Sequence, residues 1–120
     1  MVYYPDFKTE YTFDERVQES FRVVTKYPDR VPIICDRSVK SLPEIDKKKY
    51  LVPVELTVGQ FSYVIRRRLF IKPEEALFIF IDNKTIPSIN ANIGSVYNEY
   101  KDKDGFLYLT YAKENVFGSL

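Results

Sequence analysis

The chain has 120 residues, 45% of them hydrophobic and 16% aromatic, with 18 Lys and Arg against 17 Asp and Glu. This composition supports a packed core in one domain, and a net charge of +1 gives no global drive toward nucleic acid. One cysteine excludes an internal disulfide, and the lack of histidine excludes Ser-His and Cys-His catalytic pairs and histidine metal sites.

No apolar run approaches the ~20 residues of a membrane span. The polar start Met1-Val2-Tyr3-Tyr4-Pro5-Asp6 is unlike a signal peptide. The expectation is a cytoplasmic module without catalytic equipment, which reaches a membrane only by being attached to one.

A helical turn is predicted near residues 5–9. Thr12 and Glu15 stand at capping-box spacing and open a predicted helix over 12–26. Phe13, Val17, Phe21 and Val24 share one face, which is expected to be buried. Val23 falls off that stripe beside Glu19 and is expected to be exposed. Pro28 ends the helix, because the residue before a proline is pushed out of the helical region.

Val-Pro-Ile-Ile-Cys-Asp, residues 31–36, predicts a strand rich in β-branched residues. A polar loop leads to a second strand over 47–54, which suggests a hairpin with a long loop. Pro53 cannot donate to a central ladder, so this second strand is expected to be an edge. Thr57 and Gln60 form another capping box, opening a helix to about Arg68 with Val58, Phe61, Val64 and Ile65 at helical spacing.

Residues 77–81, Leu-Phe-Ile-Phe-Ile, are apolar on both faces and predict a central strand. Asp82-Asn83-Lys84 predicts a turn. Ile93, Val96, Tyr97 and Tyr100 suit a short helix, and residues 106–111 predict the last strand. The order helix-β-β-α-β-α-β predicts an α+β sandwich of the β-grasp kind, although pattern alone does not separate β-grasp from its relatives.

Six stretches go beyond periodicity: K-Y-P-D-R-V-P (26–32), D-K-K-K-Y-L-V-P (46–53), L-T-V-G-Q-F (56–61), I-R-R-R (65–68), A-L-F-I-F (76–80) and D-G-F-L-Y (104–108). In this order they strongly resemble the autophagy ubiquitin-like modifiers, the family of autophagy-related protein eight, GABARAP and the microtubule-associated protein light chain. The resemblance runs from about Phe13 to Gly118. It implies a ubiquitin-like β-grasp with two N-terminal helices. Residues 1–27 would be the helical extension, 28–112 the β-grasp core and 113–120 a flexible, processed tail.

The resemblance also implies chemistry at that tail. A cysteine protease would cut between Gly118 and Ser119, after the aromatic Phe117. Activating and conjugating enzymes would then carry Gly118 as thioesters and join it to the amine of phosphatidylethanolamine. A glycine suits such channels because it has no Cβ. The lipid's two acyl chains suffice for stable anchoring. The protein would be the substrate of these enzymes, without cofactor or metal, on autophagosomal membranes.

A further implication is a peptide site for aromatic-x-x-aliphatic motifs preceded by acids, added as a strand beside the second strand. Glu19, Val23, Pro32, Leu51 and Phe106 would line the pocket for the aromatic residue. Tyr50, Val52, Pro53, Leu56, Phe61, Val64 and Ile65 would line the aliphatic pocket. Lys47 and Lys49, with Arg30 and Arg68 nearby, would meet the acids. On residues alone, the two basic triplets are solvated surface, Cys35 is an inert buried thiol, and nucleic acid is no partner. An unconjugated β-grasp peptide-binding adaptor in membrane trafficking remains the alternative function.

Overall fold

The computed structural model describes residues 6–113. Phe117, Gly118 and Ser119, like Pro5, lie outside the described residues. Eight elements follow in order: α1 (Asp6–Glu10), α2 (Phe13–Lys26), β1 (Arg30–Arg37), β2 (Lys49–Pro53), α3 (Val58–Arg68), β3 (Phe78–Ile81), α4 (Ile93–Tyr100) and β4 (Leu107–Ala112). The strands form one sheet in the order β2-β1-β4-β3, with β1 and β4 parallel and both outer pairs antiparallel. This is the ubiquitin-like β-grasp with its N-terminal helices. Among the described residues no helix is long and apolar enough to cross a membrane.

Both predicted capping boxes form. The Thr12 hydroxyl accepts from the Glu15 N–H while Glu15 accepts from the Thr12 N–H, and Thr57 and Gln60 repeat the exchange. Each satisfies two donors that a helix start leaves without partners.

The main core lies on one face of the sheet. Ile33, Cys35, Val52, Ile81, Leu107 and Leu109 pack against Val58, Phe61 and Ile65 of α3 and Ile93 and Val96 of α4. The opposite face carries a smaller cluster of Ile34, Phe106 and Tyr108, on which Phe7 of α1 rests.

The structure turns α2 the other way from the expectation. Phe13 and Phe21 are 47% and 71% exposed, and the buried residues of the helix are Arg16 and Ser20. The cause is the turn before β4. Its Asp104 is buried, and a buried carboxylate left without partners costs far more than an apolar side chain left in water. Arg16 Nε stands 3.3 Å from Asp104 Oδ2, and Ser20 Oγ donates to the Asp104 carbonyl at 2.5 Å. Tyr108 Oη and the Phe106 N–H donate to the same carboxylate. Val23, expected to be exposed, is half-buried beside Glu19.

β3 also departs from the expectation, as it is an edge strand and not a central one. Ile79, Phe80 and Ile81 are buried on both faces of the sheet. Apolar faces report what covers a strand above and below; they say nothing about its neighbours along the hydrogen-bonding direction. The central strands are β1 and β4. β2 is shorter than predicted, but it is the opposite edge, as Pro53 required.

Candidate peptide-binding groove

The open side of β2 follows from its register. Pairing joins Val31 to Val52, Pro32 to Leu51 and Ile33 to Tyr50. The Cys35 N–H donates to the Lys48 carbonyl at 2.8 Å, and the Val54 N–H to the Asp29 carbonyl at 3.0 Å. Backbone groups alternate sides along an antiparallel pair, so Lys49, Leu51 and Pro53 turn theirs away from β1. The missing N–H of Pro53 thus falls on the open side and costs the sheet nothing. Arg30 Nη1 reaches across the strand to donate to the Leu51 carbonyl at 3.3 Å.

Beside this edge is a cavity of about 180 Å³ lined by Glu19, Val23, Pro32, Lys47, Lys49, Tyr50, Leu51 and Phe106. α2 supplies one wall through Glu19 and Val23, because the Arg16–Asp104 contact fixes its rotation. β1 and β2 supply Pro32 and Leu51, and the fully buried Phe106 closes the floor. All five residues expected around an aromatic side chain meet here.

The rim is charged and internally paired. Lys49 Nζ lies 3.1 Å from Glu19 Oε2, and Arg22 forms a two-pronged contact with the same carboxylate at 3.0 Å. Burial pushes the Glu19 carboxyl up, but the hydrogen bonds from Lys49 and Arg22 outweigh it and hold the group below its usual range. Lys47 Nζ sits 5.0 Å from the centre of the Tyr50 ring. Arg68 Nη1 pairs with Asp46 Oδ2 at 3.2 Å, farther along the groove.

The residues expected around the aliphatic side chain divide into two layers. Phe61 and Ile65 are fully buried, and Tyr50 and Val52 nearly so, with the Tyr50 ring edge-on to Phe61 at 5.4 Å. These four belong to the core. Pro53 and Val64 are exposed and Leu56 is half-buried, so only these three present surface. Arg22 and Asp46, the partners of Glu19 and Arg68, were missed by sequence reasoning. The i,i+3 spacing of Glu19 and Arg22 signals the first pair; nothing local signals the second, which spans 22 residues.

Comparison with known proteins places this chain in a family. The model described as "Autophagy protein Atg8 ubiquitin like" matches residues 15–118. Autophagy-related protein 8 of Vanderwaltozyma polyspora is 57% identical over 115 residues, covering 95% of this chain and 97% of that protein. Its counterpart in Saccharomyces cerevisiae is 55% identical over 113 residues, covering 93% and 96%. Among solved structures, Trypanosoma brucei ATG8 superposes with a TM-score of 0.86 at 41% identity, covering 97% of this chain and all of that one. Plasmodium falciparum Atg8, solved in complex with a Plasmodium falciparum Atg3 peptide, gives 0.84 at 32% identity, covering 93% and 98%. The chain belongs to the Atg8 family and is an autophagy ubiquitin-like modifier.

Proposed function

We propose that the chain is cut between Gly118 and Ser119 by a cysteine protease and joined through Gly118 to phosphatidylethanolamine on autophagosomal membranes. Activating and conjugating enzymes carry the Gly118 acyl group as thioesters. The lipid amine then attacks, an amide forms, and the enzyme thiol leaves. The protein is the substrate of each step and brings no cofactor. Before attachment it is cytoplasmic. On the membrane, its groove recruits receptors and cargo that carry aromatic-x-x-aliphatic motifs.

One observation carries the recruiting half: an edge strand turns its backbone groups outward beside an apolar cavity with lysines on its rim. Main-chain pairing supplies affinity in such strand addition, while the pocket and the charges select the side chains. The Atg3 peptide bound by the Plasmodium falciparum relative supports a conjugating-enzyme partner. The conjugating half rests on family membership and on the sequence Phe117-Gly118-Ser119-Leu120.

Intact mass after incubation with the family's protease, then with the conjugation enzymes and liposomes, tests the conjugating half. The native chain should lose Ser119 and Leu120 and then gain one lipid. Gly118→Ala should block both steps and leave peptide binding unchanged. A chain lacking only Ser119 and Leu120 should be lipidated without the protease. Equal lipidation of Gly118→Ala and the native chain would overturn the assignment.

A further inference from the structure

α3 ends in a Schellman motif. The Ile71 N–H donates to the Arg66 carbonyl at 3.1 Å and the Phe70 N–H to the Arg67 carbonyl at 3.3 Å. Phe70 is therefore the residue just beyond the cap, where glycine is preferred, and its φ of 55° is left-handed. A side chain there carries strain that packing normally repays. Among the described residues no packing repays it. Phe70 is 90% exposed, more than any other large apolar side chain among the described residues.

Its surroundings are basic and amphipathic. Arg67 stacks over Tyr63 at 5.9 Å, and Tyr63 is itself 60% exposed. A hollow of about 430 Å³ beside Phe70, Tyr63 and Arg67 runs on to Val64, Arg68 and Asp46, which belong to the peptide groove. Residues 66–75 carry four basic side chains and two acids, Glu74 and Glu75, and Asp46 pairs with Arg68, which leaves Arg67 and Lys72 nearest the ring in sequence. The loop is held in place: Arg66 donates to the carbonyls of Lys72 and Glu75, at 3.1 and 2.8 Å.

We propose that Phe70 and its basic surround form a contact site for an anionic lipid bilayer. A single projecting ring suits the disordered acyl boundary, into which it inserts without needing a matched pocket. Tyr63 suits the headgroup layer, and Arg67 and Lys72 attract anionic headgroups at the rim. The site also adjoins the start of the tail. Glu75 in the same loop pairs with Lys113 at 3.3 Å, five residues before Gly118. Only this last point rests on the proposed lipid attachment; the ring, its strain and the charges do not.

The chain has no tryptophan, so Phe70→Trp places a single reporter at the site. The unconjugated full chain is mixed with vesicles of phosphatidylcholine alone, or with about a third phosphatidylserine. Emission should shift to the blue only with the anionic vesicles, and added salt should suppress the shift. Phe70→Gly, which relieves the left-handed strain, should melt at a higher temperature than the native chain. It should nevertheless sediment with anionic vesicles about tenfold less. Unshifted emission, or sedimentation of Phe70→Gly equal to native, overturns the proposal, and a protein pocket for Phe70 would produce the first of these. Because the tail is unconjugated throughout, such a failure leaves the Gly118 assignment standing, and a failure at Gly118 leaves this result intact.

Discussion

Lys49 Nζ lies 3.1 Å from Glu19 Oε2, so a cation proposed to meet a peptide's acids is already bound by an acid of the protein. An incoming carboxylate must share Lys49 with Glu19 and tolerate its charge. Glu19→Gln should therefore bind an acid-preceded aromatic-x-x-aliphatic peptide several-fold more tightly, with a steeper loss of affinity as salt rises. Calorimetric titration at two ionic strengths checks this. Unchanged affinity would mean that Lys49 does not meet the acids.

The same pair fixes a pH response. The Glu19 carboxyl is held below its ordinary 4.5 by Lys49 and Arg22 against the upward push of burial. A lowered native pKa contributes stability that is present above the unfolded value and is lost as pH falls through the native one. The chain has no histidine, the one side chain whose ordinary pKa lies near neutrality. Peptide affinity should be flat between about pH 6 and pH 8 and change only below about 4.5. A midpoint near 6.5 would contradict this.

Leu51 presents its side chain to the cavity while its backbone lies on the open edge. Leu51→Asp removes apolar contact worth ~1.5–3 kcal/mol to a buried aromatic side chain. Binding should weaken by on the order of tenfold to a hundredfold. The melting temperature should move little, because Leu51 is only half-buried. Titration and thermal melting of one sample separate the two effects.

Tyr108 Oη donates to Asp104 Oδ2 at 2.5 Å in a buried setting. Tyr108→Phe keeps the ring and leaves the carboxylate one donor short. Urea denaturation should show a loss of about 1–3 kcal/mol. A smaller loss would mean that Arg16 and the Phe106 N–H satisfy Asp104 alone.

Phe21→Ser separates the two orientations of α2. A ring buried in the core would cost ~3–5 kcal/mol on truncation. A ring 71% exposed should cost less than about 0.5 kcal/mol. The same denaturation experiment decides between them.

Local chemistry was legible and distant chemistry was not. Thr12 with Glu15 and Thr57 with Gln60 are satisfied within one turn, so their helices could be read directly. Pro53 announced an edge because a single missing N–H restricts one strand. The rotation of α2 is decided by Asp104, 84 residues beyond Ser20. No window along the helix contains that carboxylate. The parallel pairing of β1 with β4 joins Cys35 to Leu109 and depends on every element between them. Around the groove, Glu19 and Val23 share α2, but their meeting with Phe106, which lies just before β4, came only with the resemblance, since sequence spacing cannot bring the two together. The cover that Arg30 gives the Leu51 carbonyl had no sequence signal.

The strand order has a mechanical consequence. β2, whose outer edge is open to a partner strand, is joined to β4, from which the tail departs, through β1 alone. Traction between cargo on that edge and a tether at the tail would cross two ladders in series, β2–β1 and β1–β4. The pull would run along the strands, so the hydrogen bonds of each ladder would share the load and be sheared together, not peeled apart one by one. β4 is gripped on its other side by β3 as well. With the tail tethered and a peptide held on that edge, the sheet would carry the load in shear, the geometry in which the hydrogen bonds of each ladder act together.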